Sequence, residues 1–363
     1  MSKMVQALTG FALMFVLLFS LPAASHAQEL KIGASAPLTG PAAYFGTYMK
    51  RAVDLAFEEV NAKGGVKGRK LVVVWEDDKG NPAAAVTALK KLVSVDKVPV
   101  VMGSLTATSL AMVPVVDKEN IVFITSLSTH PEIAKMSKWS FRNCISTVAA
   151  GEAVMEVAYK QQGKRKLGVL FQENESPRRE TEGARKRFEA LGGTVVASET
   201  LPEQSVDYRS SLIKIKNANP DGIWIAAFNR PAGLAMKQLV EMGVHLQMYT
   251  SPIESDVWIQ TAGSAANGTL YGYLDIDKAF LTKYKAKYNE EAEIFGAQYY
   301  ETAHTLAIAI DKGGYTADGI RKALIEIKDY KGATGPVTYG PGKDVAKPIV
   351  VKMVKDGKFV KYQ

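Results

Sequence analysis

The sequence predicts an α/β protein of two lobes, each built on a parallel, doubly wound sheet. Three observations carry this. Short apolar runs rich in β-branched residues alternate with helical patterns from Leu30 to Thr125, in an unbroken β-α-β-α-β-α-β series. A second series, from Gly151 to Ser251, repeats the alternation. The 363 residues are enough for two domains. Parallel neighbours need right-handed crossovers, and two such lobes leave a cleft between them, a common place for a ligand.

In chain order, Leu30–Ala36 (LKIGASA) reads as a strand running into the turn Pro37-Leu38-Thr39-Gly40-Pro41. A helix is expected from near Tyr44, with Val53, Phe57 and Val60 at helical spacing and Gly64-Gly65 ending it. Lys70–Trp75 is the second strand. Glu76-Asp77-Asp78 with Gly80-Asn81-Pro82 forms a turn, and a helix covers Ala83–Ser94. Val98–Met102 is the third strand, bounded by Gly103, with a helix over Leu110–Lys118 and the next strand at Ile121–Thr125. Phe141–Thr147 closes this run.

The second series starts with a helix at Gly151–Gln162 and a strand at Lys166–Phe171. A helix at Thr181–Leu191 is closed by Gly192-Gly193. Thr194–Thr200, Gly222–Ala227 and Met248–Ser251 are strands; Tyr208–Asn217 and Ala232–Met242 are helices, the latter closed by Gly243. The remainder is shared between the lobes. Leu270–Leu274 is a strand, and Lys278–Tyr288, Phe295–Lys312 and Ala317–Ile327 are helices. Tyr330–Pro341 is a turn-rich β segment. Pro348–Val354 and Phe359–Tyr362 flank a hairpin turn at Lys355-Asp356-Gly357-Lys358. The chain is expected to cross between lobes more than once, giving a hinge of several strands.

Two hydroxyl-rich turns stand out. Ser104, Thr106, Thr108 and Ser109 follow the third strand, and Ser126, Ser128 and Thr129 follow the fourth. Both lie at the carboxyl ends of adjacent parallel strands, where ligands bind in open α/β sheets. Helix N-termini there favour an anion such as a carboxylate, although ordinary N-capping uses the same residue types.

Composition narrows the function. With 47% hydrophobic and 23% charged residues, the chain is not of the disordered class. The net charge of +8 is spread, and KGGVKGRK and KRK are short, so no nucleic-acid partner is expected. A single cysteine, Cys144, allows neither an intramolecular disulfide nor a cysteine metal site. His26, His130, His245 and His304 lack ligand spacing, so no metal and no cofactor is expected. No nucleophile–base set, GxSxG elbow or GxxxxGK[ST] loop occurs, which argues against an enzyme; Glu76-Asp77-Asp78 reads as surface or capping carboxylates. Lys3, the apolar run Leu8–Leu21 and Ser25-His26-Ala27 read as an export signal cleaved after Ala27, leaving a chain from Gln28. The apolar run is short for a membrane span, no cysteine offers a lipid anchor, and no other stretch is long enough to insert. A periplasmic location is the expectation.

The segments KIGASAPLTGPAAYFG, AVDLAFEEVNAKGGVKGRKLVVVWEDDKGNPAAAV, VPVVMGS, VFITSLSTHPE, RKRFEALGGTVV and GATGPVTYGPGKDVAKP stand in order from Leu30 almost to the C-terminus. In them the chain resembles periplasmic solute-binding proteins of the branched-chain-amino-acid (Leu/Ile/Val-binding-like) type, which serve ATP-binding-cassette (ABC) importers. The resemblance implies the type I periplasmic-binding fold: two doubly wound, Rossmann-like lobes joined by a three-crossover hinge. They close on a small molecule that is passed to a membrane permease. The lobes are then residues 28–146 plus 275–345, and 147–274 plus 346–363, after a signal at 1–27. A monomer is expected.

The resemblance also implies a site. Thr106, Ala107 and Thr108, with Leu127, Ser128 and Thr129, take the positions that hold an α-amino-acid head. Thr129 matches the family hydroxyl, whereas Ala107 falls where amino-acid binders usually carry serine; Thr106 or Thr108 then substitutes. Tyr44 and Phe45 match a pocket-side aromatic position. In the second lobe Asn174, Ser176 and Arg178 replace a Tyr-Gly turn, Phe228 and Arg230 mark the next pocket turn, and Glu254, with a one-residue shift, stands for the acid that pairs with a ligand ammonium. Arg178 and Arg230 alternatively offer a fork for an anion. The expected ligand is a small carboxylate-bearing solute, a hydrophobic amino acid first, then an aromatic or aliphatic acid, then an amide or urea. A soluble ligand-sensing module is the remaining alternative.

Overall fold

The computed structural model describes residues 29–202, 205–252 and 254–362; the expected signal segment lies outside them. The first series folds as β1 (Leu30–Ala36), α1 (Ala43–Ala62), β2 (Leu71–Asp77), α2 (Pro82–Ser94), β3 (Val100–Gly103), α3 (Thr106–Glu119), β4 (Val122–Thr125), α4 (Ile133–Met136) and β5 (Ser140–Arg142). Its five strands form one all-parallel sheet in the order β2-β1-β3-β4-β5. Local chemistry starts and stops these elements. Asn81 caps α2, accepting from Ala83 N and Ala84 N, with Pro82 in its first turn. A Cβ at Gly46 would lie 2.1 Å from the Pro37 carbonyl oxygen. Glycine there lets α1 press on the turn after β1, which sets Tyr44 and Phe45 at the carboxyl edge of the sheet.

The second series is α5 (Thr147–Glu156), continued by a π turn at Val157–Gln161, then β6 (Lys166–Gln172), α6 (Glu175–Ala190), β7 (Thr194–Leu201), α7 (Arg209–Asn217), β8 (Gly222–Ala226), α8 (Asn229–Glu241), β9 (Gln247–Thr250), α9 (Asp256–Ala262) and β10 (Leu270–Tyr273). The chain continues through α10 (Lys278–Tyr288), α11 (Ile294–Gly313), α12 (Ala317–Glu326), the hairpin β11 (Tyr330–Gly332) and β12 (Gly335–Val337), and ends in β13 (Val350–Lys355) and β14 (Lys358–Lys361). The second sheet runs β14-β13-β10-β9-β8-β6-β7; β13 alone is reversed, antiparallel to β10 on one side and to β14 on the other. It is covered on both faces: Ile223 and Ile225 of β8 enter one apolar core and Trp224 the other, as strand alternation demands. Helices α10, α11 and α12 pack into the core of the first sheet instead.

Four helix starts differ from the sequence expectation by three residues or more. α3 begins at Thr106 rather than Leu110, α5 at Thr147 rather than Gly151, α6 at Glu175 rather than Thr181, and α8 at Asn229 rather than Ala232. Pro177 and Pro231 sit in first turns, where a missing N–H leaves no helix bond unmade. The short helices α4 and α9 and the edge strand β5 were not foreseen; α9 is only seven residues long and is announced by its cap, Ser255 Oγ accepting from Trp258 N.

The chain passes between the two sheets three times, near residues 143–146, 274–277 and 345–349. These crossovers are tied together. Arg142 N donates to Lys343 O at 2.8 Å and Val345 N to Arg142 O at 3.0 Å, while the buried Arg142 guanidinium pairs with Asp344 at 2.9 Å. Asp277 N donates to Ala333 O at 2.8 Å. At the centre the Glu301 carboxylate of α11 accepts from Asn143 Nδ2 at 3.0 Å, from Thr334 N and Oγ1 at 2.9 Å each, and from Lys347 Nζ.

Candidate functional site

In the first lobe the two hydroxyl-rich turns are welded into one surface. Thr125 Oγ1 donates to Ser104 O at 3.0 Å and accepts from Ser128 N at 3.2 Å. Ser128 Oγ donates to Thr106 Oγ1 at 3.2 Å. Beneath them Asp78, fully buried, accepts from Gly80 N, Ser35 Oγ and Ser104 Oγ, and burial pushes its carboxyl above the ordinary range. No side chain caps α3, whose N-cap is Leu105. Thr108 turns its hydroxyl back to Leu105 O at 2.9 Å. The first turn of α3, Thr106-Ala107-Thr108, thus presents backbone N–H groups beside Leu127, Ser128 and Thr129, an arrangement suited to an anion. Tyr44 and Phe45 stand next to it: Leu105 and Ala42, which precede α3 and α1, meet over Gly80. The Tyr44 and Phe45 rings lie 3.9 Å apart, and Phe45 meets Phe295 edge-on at 5.9 Å.

The second lobe approaches at two places. At the first, Ser176 Oγ lies 3.2 Å from Thr129 Oγ1, and Glu175 Oε1 lies 3.8 Å from His130 Nε2. Asn174 is the N-cap residue of α6 behind this joint. At the second, Glu254 and Asp256 of the second lobe come near Glu293 of the first, whose carboxylate the Tyr48 hydroxyl bonds; burial, reinforced by those two charges, raises Glu293 to about 7. Phe228 borders this side. Its N–H donates to Gln172 Oε1 at 3.2 Å, and the next residue, Asn229, accepts from Ser255 Oγ at 2.9 Å.

Three expected residues are placed otherwise. Arg178 points to solvent, 62% exposed, 3.4 Å from Glu173. Arg230 is also exposed. Glu254 accepts from Tyr271 Oη at 2.8 Å and pairs with Lys352 Nζ at 2.5 Å, so its charge is already answered within the protein. The reason for the first is the helix start. With α6 opening at Glu175, Ser176, Arg179 and Glu180 share a face and Arg178 falls outside it.

Sequence reasoning missed Arg179, Glu180 and Glu293. Arg179 is 21% exposed and bonds Glu175 at 3.0 Å. Glu180 is buried, accepts from Ser251 Oγ at 3.1 Å, and is raised to about 8 by burial. Pro177 was the signal available for the first two, since a proline in that position marks a helical first turn. Among the described residues no group of histidine, cysteine or carboxylate side chains could hold a metal ion.

A family model described as periplasmic binding protein matches residues 29–358. The chain is 26% identical over 331 residues to "Leu/Ile/Val-binding protein homolog 3" of Brucella melitensis biotype 1, covering 88% of this chain and 89% of that one. It is 26% identical over 335 residues to "Leu/Ile/Val-binding protein BraC3" of Rhizobium johnstonii, covering 88% and 90%. Among solved structures it is similar to the branched-chain amino acid transporter substrate-binding protein LivJ of Streptococcus pneumoniae in complex with isoleucine. The TM-score is 0.81 at 25% identity, over 92% of this chain and 98% of that one. A solute-binding protein of an ABC transporter from R. palustris in complex with benzoate gives 0.78 at 22%, over 92% and 95%.

Proposed function

The chain belongs to the periplasmic binding protein family, a family of solute binders and not of enzymes, and from that premise we propose that it captures a small carboxylate-bearing solute between its two lobes and delivers it to the permease of an ABC importer. The observation that carries this reading is the joined surface of the α3 first turn with Ser128 and Thr129, whose uncapped N–H groups and hydroxyls complement a carboxylate. Closure needs no chemistry: a ligand touching both lobes shifts the open–closed equilibrium by its contacts with each. We assign residues 28–146 plus 275–345 to one lobe and 147–274 plus 346–363 to the other. The periplasmic form starts at Gln28 and acts as a monomer. No helix among the described residues is long and apolar enough to cross a membrane.

A hydrophobic amino acid is the first candidate, in keeping with the Leu/Ile/Val-binding relatives. Its ammonium then faces Glu293, which lies against the Tyr44 and Tyr48 rings and has no cation beside it among the groups that shift it. The second reading is an aromatic or aliphatic acid. It is favoured by the Glu254–Lys352 pair, which occupies the acid expected for an ammonium, and by Ala107 in the carboxylate turn. Titration calorimetry with leucine and with 4-methylpentanoate, its counterpart without the ammonium, separates the two. The amino-acid reading predicts binding of leucine only, because the acid leaves Glu293 unanswered. Equal or better binding of 4-methylpentanoate supports the second reading.

A further inference from the structure

We propose that Arg179 is the residue through which the second lobe reads the ligand, gripping the same carboxylate that the first lobe holds at Thr129 and the start of α3. The proposal rests on the function given above and deepens it: a carboxylate shared by both lobes is the group that draws them together.

Four observations place Arg179 there. It lies one turn after Ser176, on the same face of α6, and Ser176 Oγ is 3.2 Å from Thr129 Oγ1 of the first lobe. Its side chain is largely covered, and its Nε is shut from solvent without a hydrogen bond among the described residues. Its charge is felt across the joint: after burial, Arg179 is the next cause holding His130 below its ordinary pKa. Finally, among the described residues its one ion-pair partner is Glu175, on its own helix, whose side chain is 56% exposed.

A covered guanidinium held by an exposed carboxylate is a site with a movable stand-in. A ligand carboxylate arriving at Thr129 can take the place of Glu175, and Glu175 returns to water. The guanidinium fork matches a carboxylate with two parallel N–H···O bonds. A primary amide offers one acceptor oxygen and no charge, so it can make at most one uncharged-acceptor bond and competes poorly with Glu175; selection between acid and amide falls on this residue.

The test uses the chain from Gln28 and three acids: leucine, 4-methylpentanoate and benzoate. Each is paired with its primary amide, and calorimetric affinities are compared. Arg179→Gln is expected to weaken the bound acid about 30-fold, the equivalent of about 2 kcal/mol for hydrogen bonds to a charged group, and to lower amide affinity far less. Glu175→Gln is expected to tighten the acid by removing its competitor, and Arg179→Lys to keep part of the affinity. Arg185→Gln, an exposed ion-pair partner of Glu189 further along α6, controls for the loss of charge. Arg179→Gln binding the acid like the wild type overturns the proposal, as does an equal loss for acid and amide, the mark of a structural role. If Arg179→Gln does not fold, a Glu175→Gln variant that fails to tighten the acid overturns it. A wild-type chain that binds none of the three acids refutes the carboxylate function itself, a result distinct from any pattern among the variants.

Discussion

Replacing Lys347 by methionine is expected to destabilise the fold by about 3–5 kcal/mol, the typical cost of stranding one partner of a buried ion pair. The structure fixes why. The Lys347 and Glu301 side chains are both 0% exposed. Glu301 keeps its three neutral donors, from Asn143 and Thr334, when Lys347 is lost. They satisfy lone pairs but leave a full negative charge in the interior. Methionine matches the aliphatic stem, so little packing is lost with the charge. The double variant Glu301→Gln with Lys347→Met removes both charges and leaves an amide whose single oxygen accepts from Asn143 Nδ2 and Thr334 Oγ1, at the cost of the bond from Thr334 N. It should recover most of the loss, ending within about 2 kcal/mol of the wild type. The assay is urea unfolding followed by tryptophan fluorescence, with a double-mutant cycle over the four chains. The reasoning is refuted if Lys347→Met loses under about 1 kcal/mol, or if the two single losses simply add. Because Glu301 binds residues next to each of the three crossovers, the double variant should also change how readily the lobes close, read as altered ligand affinity at nearly normal stability.

Glu254→Gln breaks the pair with Lys352 and should lower stability by about 1–3 kcal/mol, while changing leucine affinity less than about threefold; a loss of binding by several kcal/mol would restore Glu254 as the ammonium partner. Glu180 and Glu293 are raised to about 8 and about 7 from an ordinary 4.5, in both cases chiefly by burial. Between 4.5 and those values the folded chain holds more protons than the unfolded one. Stability therefore falls as pH rises through that window, by up to about 1.4 kcal/mol per pH unit per group, and levels above it. Urea unfolding from pH 5 to 8.5 checks this: Glu180→Gln should gain on the wild type as pH rises, and a gap that does not widen contradicts it. Thr129→Val should cut carboxylate affinity about tenfold, one lost hydrogen bond to a charged group. Melting of the unliganded chain should move little, since the partner of Thr129 is the Ser176 hydroxyl across the joint.

The fold was legible because its signals are local. Alternating apolar runs and helical periods gave strands and helices from Leu30 onward, and the family segments stand in order along nearly the whole chain. The hydroxyl turns were legible too, as neighbours at the ends of β3 and β4. What escaped depends on phase or on distance. A helix start placed at Thr181 instead of Glu175 rotates the whole first turn of α6, which exchanged Arg178 for Arg179 as the inward arginine. Glu254 has the right charge near the right place, but its partner Lys352 comes from β13, 98 residues on. The Glu301–Lys347 pair and its link to Asn143 join segments 46 and 158 residues apart, with nothing in the sequence near any of them to mark a buried charge. Nothing in the sequence around Glu180 or Glu293 marks either carboxyl as buried.

The central claim, that the cleft binds a small carboxylate, is tested most directly by a thermal-shift screen of the chain from Gln28, unfolded and refolded to strip carried ligand. The panel holds hydrophobic amino acids, aromatic acids, short aliphatic acids and the corresponding neutral amides. A ligand that binds only the folded chain stabilises it by about 2.7 kcal/mol at one hundred times its dissociation constant. The account predicts a melting temperature that climbs with concentration for at least one carboxylate and much less for its amide. A chain that shifts with an amide or another uncharged solute, and with no carboxylate, would contradict it.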